Sequence, residues 1–578
     1  MCLPWRPTQA IEAAYWRITR RRVRARTCLR RDIGSAPYAY RLWIERVENH
    51  LGALLGSNDG VVSGPVQPKI SIILTDFELA DRSAIENSLL SVSRQSYTNW
   101  ELLVDGSQDR CLPQQWADRI SLLSTSGIGS AFAKAVGQAS GRYVLRLRAG
   151  NTLPTNALAL FVSALAHNPS TKIIYGDQDE VTTTGERRKP WLKPEWNSEM
   201  FLAQDYLSDA CLIETSIARL ATKSDPSWPN TTPYSLLLAA TRIAESEIVH
   251  IPHIVCHLDP KLANPDLNER IEAVIKHLPC GATAAVGPFE TIRARWPLPG
   301  SLPLVSIIIP TRDKVELLKP CITSILEKTS YPSFEILILN NQSQNLKTEE
   351  YFNDISETPY LRIINYNKEY NYSAINNFAA KHCAGSMLCL LNNDTEVITS
   401  EWLDELVRYA ARPDVGAAGA QLLYDDDTIQ HAGIIVGMGE AAGHAHRRQR
   451  LDDPGYFCQA HVPHFVSAVT AACLVVERWK FDAVGGLDEM GFGIAFNDVD
   501  FCLKLNNAGW QSVYVPQAVL YHYESKSRGN DLAPVNVARY RRELALLQER
   551  WGTKTYVDPL HHPLLDRSFE TYTLDLGK

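Results

Sequence analysis

No run in the sequence approaches the roughly 18–20 consecutive apolar residues that a membrane-spanning helix needs, and the N-terminus lacks the apolar stretch of a signal peptide. The 12 cysteines form no Cys-x-x-Cys pair and lie scattered from Cys2 to Cys502, so neither a disulfide framework nor a zinc ribbon is expected. Positive charge is not in excess either. A formal net charge of −7 argues against a nucleic-acid binder working through bulk charge and favours a small-molecule partner. Together these absences predict a cytoplasmic protein with reduced thiols. What is present is ordinary globular composition, 45% hydrophobic and 21% charged, which excludes a mainly disordered, collagen-like or coiled-coil chain. At 578 residues the chain exceeds the roughly 250–300 residues one core can serve, so at least two domains are expected.

Residues 1–66 stand apart as a basic N-terminal extension. Arg17, Arg20, Arg21, Arg22, Arg24, Arg26, Arg30 and Arg31 crowd a span interleaved with Tyr15, Trp16 and Val23. Two readings stand side by side. The segment lies on an anionic membrane surface, each basic residue contributing about 1 kcal/mol, or it is a solvated helical extension.

From Lys69 short apolar runs alternate with helical patterns. Ile70-Ser-Ile-Ile-Leu74 is followed by a helical stretch from Ala84 to Val92, and Trp100-Glu-Leu-Leu-Val104 closes on Asp105-Gly-Ser107. The same series begins again near Val305, with Ile307-Ile-Ile-Pro310, a helical stretch from Val315 to Leu326, and Phe334-Glu-Ile-Leu-Ile-Leu339 closing on Asn340-Asn-Gln-Ser343. Gly141-Arg-Tyr-Val-Leu-Arg-Leu147 likewise matches Gly385-Ser-Met-Leu-Cys-Leu-Leu391. Such a spacing is too long for a solenoid and predicts two related α/β domains, at 67–259 and 304–578, the second with a C-terminal helical tail. Residues 260–303, ending in Pro297, Pro299, Gly300 and Pro303, read as a linker. Each domain should hold a mostly parallel sheet with helices on both faces and its ligand beyond the carboxyl ends of the strands.

The residues after each apolar run of the second unit are therefore the informative ones. They are Pro310, Thr311, Arg312 and Asp313; then Asn340 and Asn341; then Asn392-Asn393-Asp394-Thr395-Glu396, where a carboxylate could hold a hard cation against phosphate oxygens. Farther on, Phe496-Asn497-Asp498-Val499-Asp500 opens a helical pattern with Asp498 near its start, and His522 follows another short strand. Taken alone, Asp498 reads more readily as a helix cap, and His522 as a hydrogen-bonded structural histidine.

In order along the chain, the Ile-Ile-Ile-Pro-Thr-Arg-Asp opening, Tyr370-Asn-Tyr-Ser-Ala-Ile-Asn-Asn377, Leu-Asn-Asn-Asp-Thr-Glu, Ser467-Ala-Val-Thr-Ala-Ala-Cys473, Phe-Asn-Asp-Val-Asp and Tyr521-His-Tyr-Glu-Ser-Lys-Ser-Arg-Gly529 resemble the glycosyltransferase family 2 proteins of GT-A fold. The resemblance runs from Val305 to about Asp558. It implies two tandem GT-A domains and puts Asp394 at the metal-binding end of the family's Asp-x-Asp motif, with Asn392 at its first position. It puts Asp498 on the catalytic aspartate of the Glu-Asp dyad, with Asn497 in place of the Glu, and His522 on a histidine that completes a Mn²⁺ or Mg²⁺ site with Asp394. By the same resemblance Pro310, Thr311, Arg312, Asp313, Asn340, Asn377, Asn392, Asn393 and Asp394 bind the nucleotide-sugar, and Thr470, Ala471 and Asn497 meet the acceptor. The implied activity is inverting transfer of a hexose or a deoxyhexose such as rhamnose from a UDP-, GDP- or dTDP-linked donor to a surface polysaccharide or lipid-linked glycan. A non-catalytic glycan- or nucleotide-binding scaffold is the alternative, drawn from the asparagines at 340, 392 and 497. Gly437, Gly439, Gly443, His444, His446, Arg447 and Arg448 form either a lid over diphosphate or an ordinary surface loop. Structural zinc on His444, His446, His461 and His464 is disfavoured by the lack of accompanying cysteine pairs.

The first unit resembles the same family through Tyr175-Gly-Asp-Gln-Asp-Glu180 and Lys193-Pro-Glu-Trp-Asn197, with altered reactive positions. Aligning Gly141 with Gly385 sets Arg148 against Asn392 and Gly150 against Asp394, so a cation stands where a metal would be bound. A pseudo-enzyme domain is expected, with Asp105 and Asp177 able to keep some nucleotide affinity.

Overall fold

The computed structural model describes residues 33–34, 36–50, 67–105, 120–123, 130–227, 230–262, 266–524 and 536–577. The arginine run from Arg17 to Arg31, Gly106 and Ser107 after the second strand, and Ser525 to Gly529 of the last motif lie outside these, and the Asp105 side chain is likewise not described. Two compact units emerge. One comprises the described residues up to Ala294 together with His561–Asp566 and the stretch from Thr573; the other comprises Arg295–Leu560 and Arg567–Tyr572.

In the second unit, Val305–Thr311 is buried at every position, the signature of a strand covered on both faces. Its alternate residues serve opposite cores. Ile307 and Ile309 join one apolar cluster with Leu318, Ile322 and Ile325, whose spacing puts them on one face of the helix Val315–Lys328. Ile308 joins a second cluster with Ile375 and Ala379 of the helix Tyr372–Ala380. A helix on each face thus follows from one strand's alternation. The sheet runs, in spatial order, Leu361–Asn365, Phe334–Asn340, Val305–Thr311, Met387–Leu391, Cys473–Glu477, Val415–Leu423, Gln511–His522 and Thr395–Val397. The first four strands are parallel, and Cys473–Glu477 runs antiparallel to Met387–Leu391.

The first unit repeats this plan. Ile120–Leu123, Trp100–Asp105, Ile70–Thr75 and Tyr143–Arg148 lie parallel in that order, and Cys211–Glu214 pairs antiparallel beyond them. A shared clamp shows that the repeat extends to side chains. Ser71 donates to Glu101 at 2.5 Å and accepts from the Gly141 N–H at 2.9 Å; Ser306 donates to Glu335 at 2.6 Å and accepts from the Gly385 N–H at 2.9 Å. Only glycine fits there, because an added Cβ would lie 2.7 Å from the Lys69 carbonyl oxygen in one unit and 2.5 Å from that of Leu304 in the other.

The clamp makes stability depend on pH. Burial raises the Glu101 pKa, but hydrogen bonds from Lys69, Ser71 and Ser140 outweigh it and hold the carboxyl at about 2, below its ordinary 4.5. A depressed carboxyl stabilises the fold above its unfolded pKa and ceases to do so as pH falls through its folded one. Denaturant unfolding should therefore find Glu101→Gln less stable than the parent at pH 6, with the gap shrinking steadily between pH 5 and pH 2. A gap constant across that range would remove Glu101 from the pH response.

Two boundaries differ from the sequence expectation. The stretch 260–303 carries the helix Leu267–His277, whose Ala273, Val274 and His277 are buried and whose His277 meets Ser235 and Asp225, so most of it belongs to the first unit's core. The breakers at its end mark only the exit. The described end of the N-terminal extension is also part of this unit. Tyr40 and Trp43 of the helix Ala39–Trp43 are buried, Tyr40 donates to Asp179 at 2.6 Å, and Arg187 bridges Asp179 and Glu48.

Candidate functional site

Strand pairing assembles the site. The short strand Thr395–Val397 runs antiparallel to the end of Gln511–His522, with Thr395 opposite His522, so Asp394 arrives beside a histidine 128 residues away in sequence. The Tyr523 N–H donates to the Asp394 carbonyl at 2.9 Å and fixes the junction. Asp394 Oδ1 and His522 Nε2 are then 3.2 Å apart, with the Asp394 side chain almost fully buried.

Gln430 sets the histidine's tautomer. Its amide nitrogen donates to the His522 carbonyl at 3.2 Å and to Glu524 at 3.4 Å, which turns its Oε1 toward His522 Nδ1 at 2.6 Å. An oxygen there accepts, so Nδ1 carries the proton and the Nε2 lone pair faces Asp394 and the Asn392 amide, 3.2 Å away. A ring nitrogen with its lone pair beside a carboxylate, its other nitrogen donating to a carbonyl oxygen, is the arrangement metal-ligating histidines adopt. The donor set fits a divalent cation.

Asp498 stands elsewhere on the same wall. The helix Asn497–Asn507 begins at Phe496, held in the left-handed region at φ 61°, a conformation uncommon for a bulky residue and concentrated at functional sites. This turn lets Asp498 accept from the Val499 N–H at 2.9 Å and the Ala471 N–H at 3.2 Å. Asn497 donates to the Ile494 carbonyl at 2.8 Å and is buried. A cavity of about 260 Å³ joins these groups. Its lining includes Pro310, Asn392, Asn393, Asp394, Thr470, Ala471, Asn497, Asp498 and His522 from the sequence-derived set.

The remaining members of that set do not line the cavity. Thr311 is buried and accepts from the Asn393 side chain at 2.9 Å. Arg312 is exposed. Asp313 caps the backbone N–H groups of Gln344 and Asn345, both at 2.8 Å, and Asn340 accepts from the Ser343 N–H at 3.0 Å; these bonds knit adjacent strand ends. Asn377 grips Leu487 from both sides, donating to its carbonyl at 2.8 Å and accepting from its N–H at 2.9 Å, and so pins the loop that leads to Asp498.

Sequence reasoning missed Gln430, Tyr424, Tyr540 and His431, the partner of His444. Phe496 and Tyr540 bring their rings to 5.4 Å on the cavity wall. Arg447 donates to Tyr424 at 2.6 Å; burial works against its charge, but Glu570, Tyr424 and Glu524 hold its pKa above the ordinary value. The glycine- and histidine-bearing stretch is neither a loose lid nor an ordinary surface loop. Ile434–Val436 and Ala442–His444 form a hairpin, and buried His446 stacks on Tyr572 at 4.4 Å. His444 meets His431, His446 and His461 both approach the Gln449 side chain, and His461 and His464 contact the carbonyls of Asp453 and Val462. Among the described residues these histidines do not gather three ligand atoms into one cluster.

In the first unit the corresponding crevice is filled from within. Arg146 donates to Asp76 at 2.6 Å and Arg148 approaches the same carboxylate at 3.3 Å. Burial raises the Asp76 pKa, yet Arg146, Thr75 and Arg148 bring it below the ordinary range. Asp177 does not reach a crevice at all. It is fully buried and accepts from His250, His562 and the Lys193 N–H, each at 2.8 Å, which leaves it no role toward a nucleotide. Asp177, His250 and His562 do bring ligand-type atoms within 4.8 Å of one another. The Leu564 N–H, however, donates to His562 Nδ1 at 3.0 Å, so the His562 proton sits on Nε2 and points at Asp177. The trio is a hydrogen-bonded clamp.

Comparison with known proteins agrees with the second unit's geometry. Residues 306–461 match the model of glycosyl transferase family 2. Over 525 residues, 86% of this chain, it is 36% identical to the uncharacterized protein y4gI of Sinorhizobium fredii and 33% identical to the O-antigen biosynthesis protein RfbC of Myxococcus xanthus. The chain spans 58% and 40% of the lengths of these relatives. Over 85 residues, 15% of the chain and 27% of the relative, it is 39% identical to an N-acetylglucosaminyl-diphospho-decaprenol L-rhamnosyltransferase of Mycobacterium tuberculosis. The family match thus lies within the second unit, over residues 306–461.

Proposed function

We propose that the second unit is an inverting, metal-dependent glycosyltransferase that moves a hexose or deoxyhexose from a nucleotide-sugar to a surface polysaccharide or lipid-linked glycan. The observation that carries this reading is one cavity with two chemically distinct ends, the Asp394–His522 pair and the base-competent carboxylate of Asp498. Inverting transfer needs both: a centre for the departing diphosphate and a proton acceptor for the incoming hydroxyl. Asp394 and His522 would hold Mn²⁺ or Mg²⁺, which supplies Lewis-acid charge to the leaving group when bound. Asn392 and Asn393 border that end with neutral amides able to bond phosphate or sugar oxygens. Asp498, oriented by two backbone N–H groups, takes the acceptor proton. Thr470, Ala471, Asn497, Phe496 and Tyr540 form the acceptor's surroundings on that side.

Rhamnose and a lipid-linked diphosphate acceptor extend to this chain what the name of the mycobacterial relative says, and surface polysaccharide extends the name of the myxobacterial one. The first unit acts as a non-catalytic domain, since Arg146 and Arg148 already neutralise its crevice carboxylate. The test is nucleotide release from UDP-, GDP- and dTDP-sugars with Mn²⁺ or Mg²⁺. Release from one donor, stopped by chelator, is the expected result. A folded protein that binds no donor with either metal but retains a glycan would replace this reading with a scaffold.

A further inference from the structure

The His431–His444 pair lies outside the roles assigned so far, and its protons can be placed from hydrogen bonds alone. His431 is buried beneath the cavity wall, and its Nε2 lies 3.4 Å from the Thr470 N–H. A backbone N–H can only donate, so His431 Nε2 accepts and its proton sits on Nδ1. That Nδ1 lies 2.9 Å from His444 Nδ1, which must then accept in turn. The His444 proton is forced onto Nε2. Among the described residues none hydrogen-bonds this nitrogen, and His444 lines the cavity.

Both rings are held uncharged. Burial lowers the His431 pKa, helped by His444 and His522. Burial also lowers that of His444, where Asp498, Glu570 and Glu524 pull upward and Arg447 pulls down. His444 and Asp498 line the same cavity. One loop organises both groups, since consecutive N–H groups of Thr470 and Ala471 hold His431 and Asp498 respectively.

An attacking hydroxyl beside Asp498 has three demands. Its proton needs an acceptor, one lone pair must point at the anomeric carbon, and the other lone pair needs a donor or the oxygen stays free to rotate. We propose that His444 Nε2–H donates to this second lone pair and so aims the attacking oxygen, and that His431 is the positioning residue that keeps the His444 proton on Nε2. This rests on the transferase reading above. The hydroxyl proton passes to Asp498 as the oxygen–carbon bond forms and the carbon–phosphate-oxygen bond breaks, its electron pair leaving on the diphosphate. His444 keeps its own proton throughout.

Water is the attacking oxygen in slow donor hydrolysis, so the test needs no identified acceptor. With the donor that the wild type cleaves in Mn²⁺, His444→Ala should lower kcat for nucleotide release by about 10–100-fold, with donor KM within about twofold, the scale of a misaimed nucleophile. His444→Gln, which restores an N–H donor, should recover most of the rate. His431→Ala should lose rate similarly and His431→Gln, whose amide can donate to His444 Nδ1, should recover it. ¹⁵N NMR of the free protein should show His431 protonated on Nδ1 and His444 on Nε2. A His444→Ala enzyme at full kcat, beside an inactive Asp498→Asn, would discard the role of His444 and keep the transferase. Glutamine variants no better than the alanines, or a His444 proton found on Nδ1, would equally overturn it. A wild type that releases nucleotide from no donor would overturn the transferase reading itself.

Discussion

Asp498→Asn should lower sugar transfer by about 10²–10⁴-fold, the usual contribution of a positioned general base, while donor affinity stays within about twofold. The substitution is nearly isosteric, and its amide oxygen can still accept from a backbone N–H at the helix start, so the local turn at Phe496 should persist. What is lost is the capacity to take a proton. Initial rates with the cognate donor, set beside calorimetric binding of the same donor, separate the two effects. Full turnover in Asp498→Asn would remove this carboxylate from the reaction. Arg148→Ala, in the first unit's crevice, provides the contrast: it should leave turnover unchanged, and a loss as large as that of Asp498→Asn in a folded protein would contradict the division of labour between units.

The second large effect should come from Asp394→Asn. This carboxylate is the anionic member of the candidate cation site, and it sits almost fully buried against His522. An amide of the same shape keeps the backbone bond from Tyr523 to residue 394, so the strand junction should hold. Removing the negative charge from a buried donor set should weaken metal-dependent donor binding by about 100-fold or more, since the remaining neutral nitrogen and amides attract a divalent cation far less strongly. Titration of the donor with and without Mn²⁺ reads this directly: the wild type should show a large metal-dependent gain in affinity and the variant little. An undiminished gain would move the cation away from Asp394.

Much of the architecture was legible because its signals are local. The run Val305–Thr311 is apolar throughout, and the helices beside it repeat their apolar residues at three and four positions, so strand, helix and their order follow from period alone. The internal repeat was visible for the same reason, down to Gly141 and Gly385. The candidate site was legible where a motif sits at a strand end, as with Asp394, or a helix start, as with Asp498, both of which line the cavity. It was not legible where long-range packing decides. Asn377 has the chemistry to bind a sugar, yet a loop 110 residues later claims both ends of its amide. Gln430 carries no motif, and only the return of the strand Gln511–His522 gives it a partner. Asp177 looks like a crevice carboxylate until two histidines from distant segments close on it.

That last clamp has a consequence for how the chain is made. Asp177 and His562 are separated by 385 positions, and the segments His561–Asp566 and Thr573 onward belong to the first unit although Arg295–Leu560 of the second unit intervenes. Domains usually complete themselves as they emerge during translation, N-terminal ones first. Here the first unit leaves the ribosome with a buried carboxylate short of one of its hydrogen-bond donors, and it must wait through the synthesis of about 270 further residues, from Ala294 to His562, before that donor arrives. The nascent first unit should accordingly remain the most chaperone-dependent and protease-sensitive intermediate of the chain's biogenesis, maturing only after its C-terminal neighbour has been synthesised.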